Sequence, residues 1–199
     1  NAAPVITSLS LSSSSPKTTD SITATIVVND IDGDTLTMVY SWSVDGNPVV
    51  GVNGNVLDSS YFIKEQFIEV TAIVSDPSGL QDSDSTSVTS VNSSPSTPVV
   101  SVSPTSAGDD DDLICSYTGG TDADGDPVGI TLEWYVGGVV FNGTSTTTIS
   151  GDTIEAAETV EREVWQCQVT VTDGVETVTG TDQVQVVYEW PGMLTFDCT

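Results

Sequence analysis

The sequence predicts an all-β protein built from two tandem β-sandwich domains. Short apolar or alternating runs separated by turn residues recur along the chain, which is typical of strands rather than helices. An acidic motif occurs twice: Asp30-Ile31-Asp32-Gly33-Asp34 precedes Trp42, and Asp122-Ala123-Asp124-Gly125-Asp126 precedes Trp134. The separations 122 − 30 and 134 − 42 both equal 92 residues. This repeat indicates two copies of one domain of about 90 residues.

The turn residues divide each copy into six expected strands. In the first domain, residues 1–91, they are 5–11, 21–28, 36–44, 61–63, 67–75 and 83–91. In the second domain, residues 98–188, they are 98–103, 113–117, 129–136, 144–149, 160–172 and 176–187, and residues 154–159 form a helical turn or a loop. Residues 92–97 are rich in Ser and Pro and are expected to be a short, stiff linker. Residues 189–199 form an apolar C-terminal tail.

The charge balance excludes several classes of partner. The chain has 29 Asp and Glu against 3 Lys and Arg, has no His, and carries a formal net charge of −26. Such a surface repels nucleic-acid phosphates and anionic lipids, so neither is an expected partner. No run approaches the eighteen or so apolar residues of a membrane span. The bulk charge favours solubility in a salty or cation-rich medium, and we expect an extracellular or cell-surface location.

The cysteines and a tryptophan indicate the type of sandwich. Cys115 lies on the strand before the second acidic loop, Trp134 on the strand after it, and Cys167 on the next-to-last strand. This order is that of an immunoglobulin-like sandwich, in which an inter-sheet disulfide packs on a core tryptophan. We therefore predict a Cys115–Cys167 disulfide; the alternative is two separately buried thiols. The matching positions of the first domain are Ala24 and Val70, so that domain lacks the disulfide and is expected to be less stable.

A third cysteine, Cys198, is left without a partner in a chain with secreted character. We expect it to bond to another chain or to a segment outside this sequence. A catalytic role is not supported, because the chain has no His to activate the thiol.

The acidic motifs are the candidate metal sites. Three carboxylates on alternate residues around a glycine repel one another unless a cation neutralises them, and Ca²⁺ prefers such oxygen ligands. In an immunoglobulin-like sandwich, the hairpin joining the last two strands lies at the same end as this loop. The expected calcium ligands are therefore Asp30, Asp32, Asp34 and Asp76 in the first domain, and Asp122, Asp124, Asp126 and Asp173 in the second. The alternative is a solvated acidic turn without an ordered ion, which is also the favoured interpretation of residues 109–112.

The motif Asp-x-Asp-Gly-Asp before a strand with Trp, together with a late strand ending in Asp76 or Asp173, resembles the calcium-associated immunoglobulin-like repeats of large surface proteins. These repeats form the broad cadherin-like and polycystic-kidney-disease-like class. The resemblance implies an extracellular stalk, adhesin or spacer. The inter-domain calcium signatures of true cadherins are not all present, so homophilic cadherin adhesion is not implied.

Three functions remain open from the sequence. The first is a structural module of an extracellular tandem-repeat protein that is stiffened by calcium and contacts neighbouring repeats or other copies of itself. The second is a filament subunit that polymerises through the tail, where Leu194, Phe196 and Cys198 alternate as in a strand. The third is a carbohydrate-binding module that uses Trp165, Trp190, Tyr61 and Tyr135.

Two further expectations concern catalysis and modification. The chain lacks His, a nucleophile motif and a Gly-rich phosphate loop, so we do not expect an enzyme. Asn92-Ser93-Ser94 and Asn142-Gly143-Thr144 match the acceptor pattern for N-glycosylation, which matters only in a host that uses it.

Overall fold

The chain divides into two compact units, Asn1–Ser93 and Ser94–Thr199, here called domain 1 and domain 2. A computed structural model describes residues 1–143, 149 and 151–187. The division falls inside the stretch 92–97 that the sequence assigns to the linker. Among the described residues, no helix has the length and apolar character needed to cross a membrane.

Domain 1 consists of two antiparallel sheets. Its strands are β1 (Val5–Leu11), β2 (Ile22–Asn29), β3 (Thr37–Val44), β4 (Asn47–Pro48), β5 (Val56–Leu57), β6 (Phe67–Ser75) and β7 (Gln81–Thr89). One sheet has the order β1-β2-β5 and the other has the order β4-β3-β6-β7. Inner faces follow the expected period of two, because Ile68, Val70, Ala72 and Val74 on β6 are all fully buried.

Domain 2 repeats this topology. Its strands are β8 (Val99–Ser103), β9 (Leu113–Thr118), β10 (Gly129–Val136), β11 (Val139–Phe141), β12 (Thr153–Ile154), β13 (Val164–Thr172) and β14 (Thr177–Gln185). The sheets have the orders β12-β9-β8 and β11-β10-β13-β14. Three strands facing four in each domain confirm the predicted tandem β-sandwiches of immunoglobulin-like type.

The predicted strand at 61–63 is wrong. A short 3₁₀ helix, Ser59–Tyr61, occupies this region, and the strand that pairs with β2 is the earlier β5. The Asp58 carboxylate accepts a hydrogen bond from the Ser60 amide at 2.9 Å and so stabilises the turn. Phe62 is buried, whereas Tyr61 and Ile63 on either side are exposed. Phe62 alone therefore attaches this turn to the core.

Most other strands differ from the predicted bounds by a few residues, and β1, β6 and β10 agree with them at both ends. Residues 154–159 contain a 3₁₀ helix at Ala156–Glu158. The predicted strand 144–149 lies outside the described residues except for Ile149.

Each core is centred on a tryptophan opposite the middle of the adjacent strand. Trp134 on β10 pairs with Cys167 on β13, and Cys167 forms a disulfide with Cys115 on β9, which confirms the predicted pairing. In domain 1 the same register places Trp42 opposite Val70. All of these side chains are buried.

Strand register also identifies the residue of domain 1 that is equivalent to Cys115. Cys115 lies two residues after Leu113, the partner of Ile154, and Ala24 lies two residues after Ile22, the partner of Leu57. The amides of Cys115 and Ala24 both donate across the sheet, to Asp152 and Asn55 respectively. Ala24 and Val70 are therefore the apolar counterparts of the two cysteines.

The double substitution Cys115→Ala/Cys167→Val should give domain 2 the side chains of domain 1. A disulfide that closes a separation of 52 residues stabilises a domain by about 4 kcal/mol in the chain-entropy model, so we expect the unfolding free energy of domain 2 to fall by about that amount. Urea-dependent hydrogen exchange measures it, with strand β13 reporting on domain 2. Strand β6 reports on domain 1 and is the internal control. Both proteins should carry Cys198→Ser to prevent thiol–disulfide exchange. An unchanged unfolding free energy at β13 would contradict the stabilising role assigned to the disulfide.

Candidate metal centre

The two acidic loops join equivalent strands. The first connects β2 to β3, and the second connects β9 to β10. The fourth residue of each motif is a glycine with positive φ, 72° at Gly33 and 80° at Gly125. Residues with a Cβ rarely adopt this conformation, so glycine allows the tight turn that brings the flanking carboxylates together.

The first aspartate of each motif shapes the loop around itself. Oδ1 of Asp30 accepts hydrogen bonds from the amides of Asp32 and Asp34, at 2.9 and 3.3 Å. In domain 2, Oδ1 of Asp122 accepts from the amides of Asp124 and Asp126, at 2.8 and 3.3 Å. Such side-chain to backbone bonds are typical of aspartate in turns, and they fix the backbone that carries the following two carboxylates.

The other oxygen of the first aspartate has a different environment. Oδ2 of Asp30 and Oδ2 of Asp122 are buried and have no hydrogen-bond partner among the described residues. Oxygens of Asp30, Asp32 and Asp34 lie within 4.8 Å of one another, and so do those of Asp122, Asp124 and Asp126. A buried carboxylate oxygen without a donor is costly, and a cation bound by three carboxylates would remove that cost. The residues present therefore fit a calcium ion.

Asp76 lies outside the first carboxylate cluster, because its oxygens bind the turn that follows β6. Oδ1 accepts hydrogen bonds from the Ser78 amide, the Ser78 hydroxyl and the Leu80 amide, and Oδ2 accepts from the Asn1 side chain at 2.6 Å. Burial acts to raise the pKa of Asp76, but these hydrogen bonds outweigh it and hold the pKa below its usual value.

Asp173 also lies outside its cluster among the described residues. Its Oδ1 accepts hydrogen bonds from the amides of Val175 and Glu176, at 2.7 and 2.6 Å, and this closes the hairpin between β13 and β14. The structure thus groups three of the four expected ligands in each domain, and it gives the fourth aspartate a role in a turn.

The first residues of each domain contact its acidic end. The amide of Ala2 donates to Oδ2 of Asp32 at 2.6 Å. In domain 2, the Ser94 hydroxyl donates to Glu176 at 2.6 Å, and the Ser96 amide donates to the carbonyl of Thr121, directly before Asp122. Residues 94 and 96 of the predicted linker are therefore held by domain 2. Residues 92–97 contain turn-forming Ser and Pro, but they carry no sequence motif that would identify these contacts.

The aspartates at 109–112 contribute to local turns at another position in domain 2. Asp111 accepts a hydrogen bond from the Gly108 amide, and Asp112 accepts one from the Ala156 amide at the start of the 3₁₀ helix. Asp109 and Asp110 are exposed.

The aromatic candidates for a carbohydrate site differ in exposure. Trp165 is 1% exposed and packs edge-on against Trp134 and Phe141, so its predicted place in a carbohydrate-binding surface is wrong. Tyr61 is exposed on domain 1. Tyr135 on domain 2 donates to Glu133 at 3.1 Å, and this bond raises the pKa of the Tyr135 hydroxyl. Trp190 lies outside the described residues.

The remaining predicted sites differ in accessibility. Asn92 is partly buried, and its side-chain amide donates to the Ser93 carbonyl while its oxygen faces Lys64 at 3.5 Å. Asn142 is exposed. Thr144 of the second acceptor pattern, Cys198 and the tail 189–199 lie outside the described residues.

Comparison with known proteins gives likeness only at the level of the fold. No family model matches the sequence, and no curated protein sequence matches it. Murine CEACAM1b is 12% identical with a TM-score of 0.34, covering 91% of this chain and 98% of that one. The insect immune protein hemolin is 15% identical with a TM-score of 0.42, covering 94% and 47%. A 1.5-MDa bacterial ice-binding adhesin is 15% identical with a TM-score of 0.37, covering 94% and 66%. No function is carried over from likeness at this level.

Asp76→Asn should destabilise domain 1 at neutral pH, because an amide accepts the hydrogen bonds of the turn less strongly than a carboxylate does. The pKa of Asp76 is lowered from 3.8 by folding, so its contribution is complete above the unfolded pKa and is lost as pH falls through the folded one. The melting temperatures of the two proteins should therefore converge in acid. Asp84→Asn on β7 is the charge-matched control. Equal melting of Asp76→Asn and the wild type at neutral pH would refute the role.

Proposed function

We propose that the chain is a structural module of an extracellular tandem-repeat protein, and that one calcium ion per domain stiffens the end at which the chain enters. The observation that carries this proposal is the buried, unpartnered Oδ2 of Asp30 and of Asp122, each within a cluster of three carboxylates. The same unusual feature occurs at the same place in both copies. A solvated acidic turn would not need to bury an oxygen without a donor.

The ligand chemistry favours a hard divalent cation. Each cluster offers only carboxylate oxygens, and the chain contains no His that would favour zinc or copper. Three carboxylates that each bind through one oxygen supply fewer ligands than Ca²⁺ takes, so backbone carbonyls and water would complete its shell.

The position of the cluster explains how an ion would act mechanically. Asp32 holds the amide of Ala2, and Asp122 directly follows Thr121, whose carbonyl holds the amide of Ser96. An ion that fixes the loop would therefore also fix the first residues of the domain. A stiffener is useful at this place in an array, since in domain 2 these residues come directly after a domain boundary along the chain.

An extracellular location agrees with the chemistry of the core. The Cys115–Cys167 disulfide is fully buried in domain 2, and structural disulfides persist in oxidising compartments. The net charge of −26 keeps such a module soluble where salt and divalent cations are abundant.

Titration calorimetry with Ca²⁺ tests the ion sites. We expect two bound ions in the wild type, and one in Asp30→Asn and in Asp122→Asn, because each substitution removes the central ligand of one cluster. Asp109→Asn removes the same charge from an exposed residue and should still bind two. Binding at 100 times the dissociation constant should stabilise the occupied domain by about 2.7 kcal/mol, which chelator would abolish.

Hydrogen exchange tests the stiffening separately from binding. Calcium should slow exchange in peptides covering residues 1–6 and 94–99, while the centre of β7 serves as the control. Absence of heat on titration would refute the ion sites, and binding without slower exchange at these segments would refute the mechanical role.

A further inference from the structure

A groove runs along one edge of domain 1, between β1 and β7. These are the outermost strands of the two sheets, since β1 pairs with β2 and β7 pairs with β6. The groove has a volume of about 500 Å³ and is lined by Leu9, Leu11, Phe67 and Val88 with Ser and Thr side chains around them. Every lining residue is uncharged, although the chain carries 29 acidic residues.

The backbone of β1 faces this groove with hydrogen-bonding groups. Leu11 lies opposite Ala24, whose amide donates to Asn55 on the far side of β2. The Leu11–Ala24 pair is therefore a non-hydrogen-bonded pair of the ladder, and the amides of Leu11 and Leu9 turn away from β2. An edge with outward amides and carbonyls is a template for one more strand.

Domain 2 closes the equivalent position with a carboxylate. Val102 lies opposite Cys115 as Leu11 lies opposite Ala24, and its amide donates to Oδ2 of Asp182 on β14 at 2.8 Å. Asp182 pairs with Cys167, and the residue that pairs with Val70 in domain 1 is Thr86. The shorter Thr86 lines the groove and leaves the gap open beside Leu11. The groove is bounded on one side by the Ile6 amide, which donates to Oδ2 of Asp82 on β7 at 2.8 Å, and on the other by the pairing of Lys17 with Val91.

The chain itself contains a segment that suits this groove. Residues 188–199 follow the last strand of domain 2, and within them Leu194, Phe196 and Cys198 alternate with Thr195, Asp197 and Thr199. The period of two fits a strand with one apolar face, and five such residues span about 17 Å. Contact in an uncharged groove also avoids the repulsion that two chains of net charge −26 meet elsewhere.

We propose that residues 194–198 of a second copy add as a strand along β1 in the groove of domain 1, with Leu194 and Phe196 facing Leu9, Leu11 and Val88. Backbone hydrogen bonds to the edge would supply affinity, and the alternate side chains would supply specificity. The inference rests on the proposed structural role, because it makes the module self-associating. It does not depend on calcium.

Sedimentation velocity of the full chain over a wide range of concentrations tests this contact. All proteins carry Cys198→Ser to remove covalent crosslinks, and all runs are made both in chelator and in calcium. We expect concentration-dependent association that Thr86→Asp abolishes, because the new carboxylate can bind the Leu11 amide as Asp182 binds that of Val102. Ser83→Asp, on the exposed face of β7, adds the same charge and should leave association intact.

A second pair of variants changes the tail instead of the domain. Phe196→Asp should abolish association and Thr195→Asp should not, because only the first removes an apolar side chain from the alternating run. A monomer at all concentrations would overturn the proposal. Association that survives Thr86→Asp, or that Thr195→Asp weakens as much as Phe196→Asp does, would overturn the assigned groove or register. If the protein associates in chelator but does not bind calcium, the strand contact is supported and the ion sites are refuted.

Discussion

The acidic end of each domain depends on one carboxylate that binds two backbone amides. Oδ1 of Asp30 or Asp122 binds the backbone amides of the next two aspartates, so the loop keeps all three carboxylates on one short turn. Two like charges 4 Å apart cost about 1 kcal/mol in water and about 4 kcal/mol at the effective dielectric of a protein surface. The loop accepts this repulsion because the amides and a glycine with positive φ determine its shape. The proposed cation would offset this repulsion by binding all three carboxylates.

The two domains satisfy the same core geometry with different chemistry. Both place a tryptophan opposite the central residue of the next strand, and both bury the residue facing it across the sandwich. In domain 2 these partners are the disulfide-bonded Cys115 and Cys167, whereas in domain 1 they are Ala24 and Val70. A disulfide acts mainly by restricting the unfolded chain, so its loss changes stability without requiring a different native packing.

The sequence contained the information for the fold and for part of the site. Alternation over 67–75 and 129–136 placed β6 and β10 at their observed bounds, since one buried face imposes a period of two. The apolar run 61–63 was wrongly predicted to be a strand, because a turn with the single buried side chain Phe62 has the same apolar sequence as a short strand. Asp76 could not be separated from the ligands of the acidic loop, because only coordinates reveal that the amides of its own turn bind its oxygens. Contacts across the fold, such as Ala2 with Asp32, leave no local pattern.

The open edge of domain 1 is best understood through the electrostatics of the whole chain. Beyond a Debye length of about 8 Å at physiological salt, surface charges are largely screened, but two copies in contact approach more closely than that. Close contact between acidic surfaces is therefore opposed nearly everywhere. The groove between β1 and β7 removes this opposition locally, because its lining carries no charge. In domain 2 the corresponding position holds Asp182, which both closes the edge and adds a negative charge. The proposed contact therefore depends on Thr86, which leaves the amide of Leu11 without the carboxylate that Asp182 supplies to Val102 in domain 2.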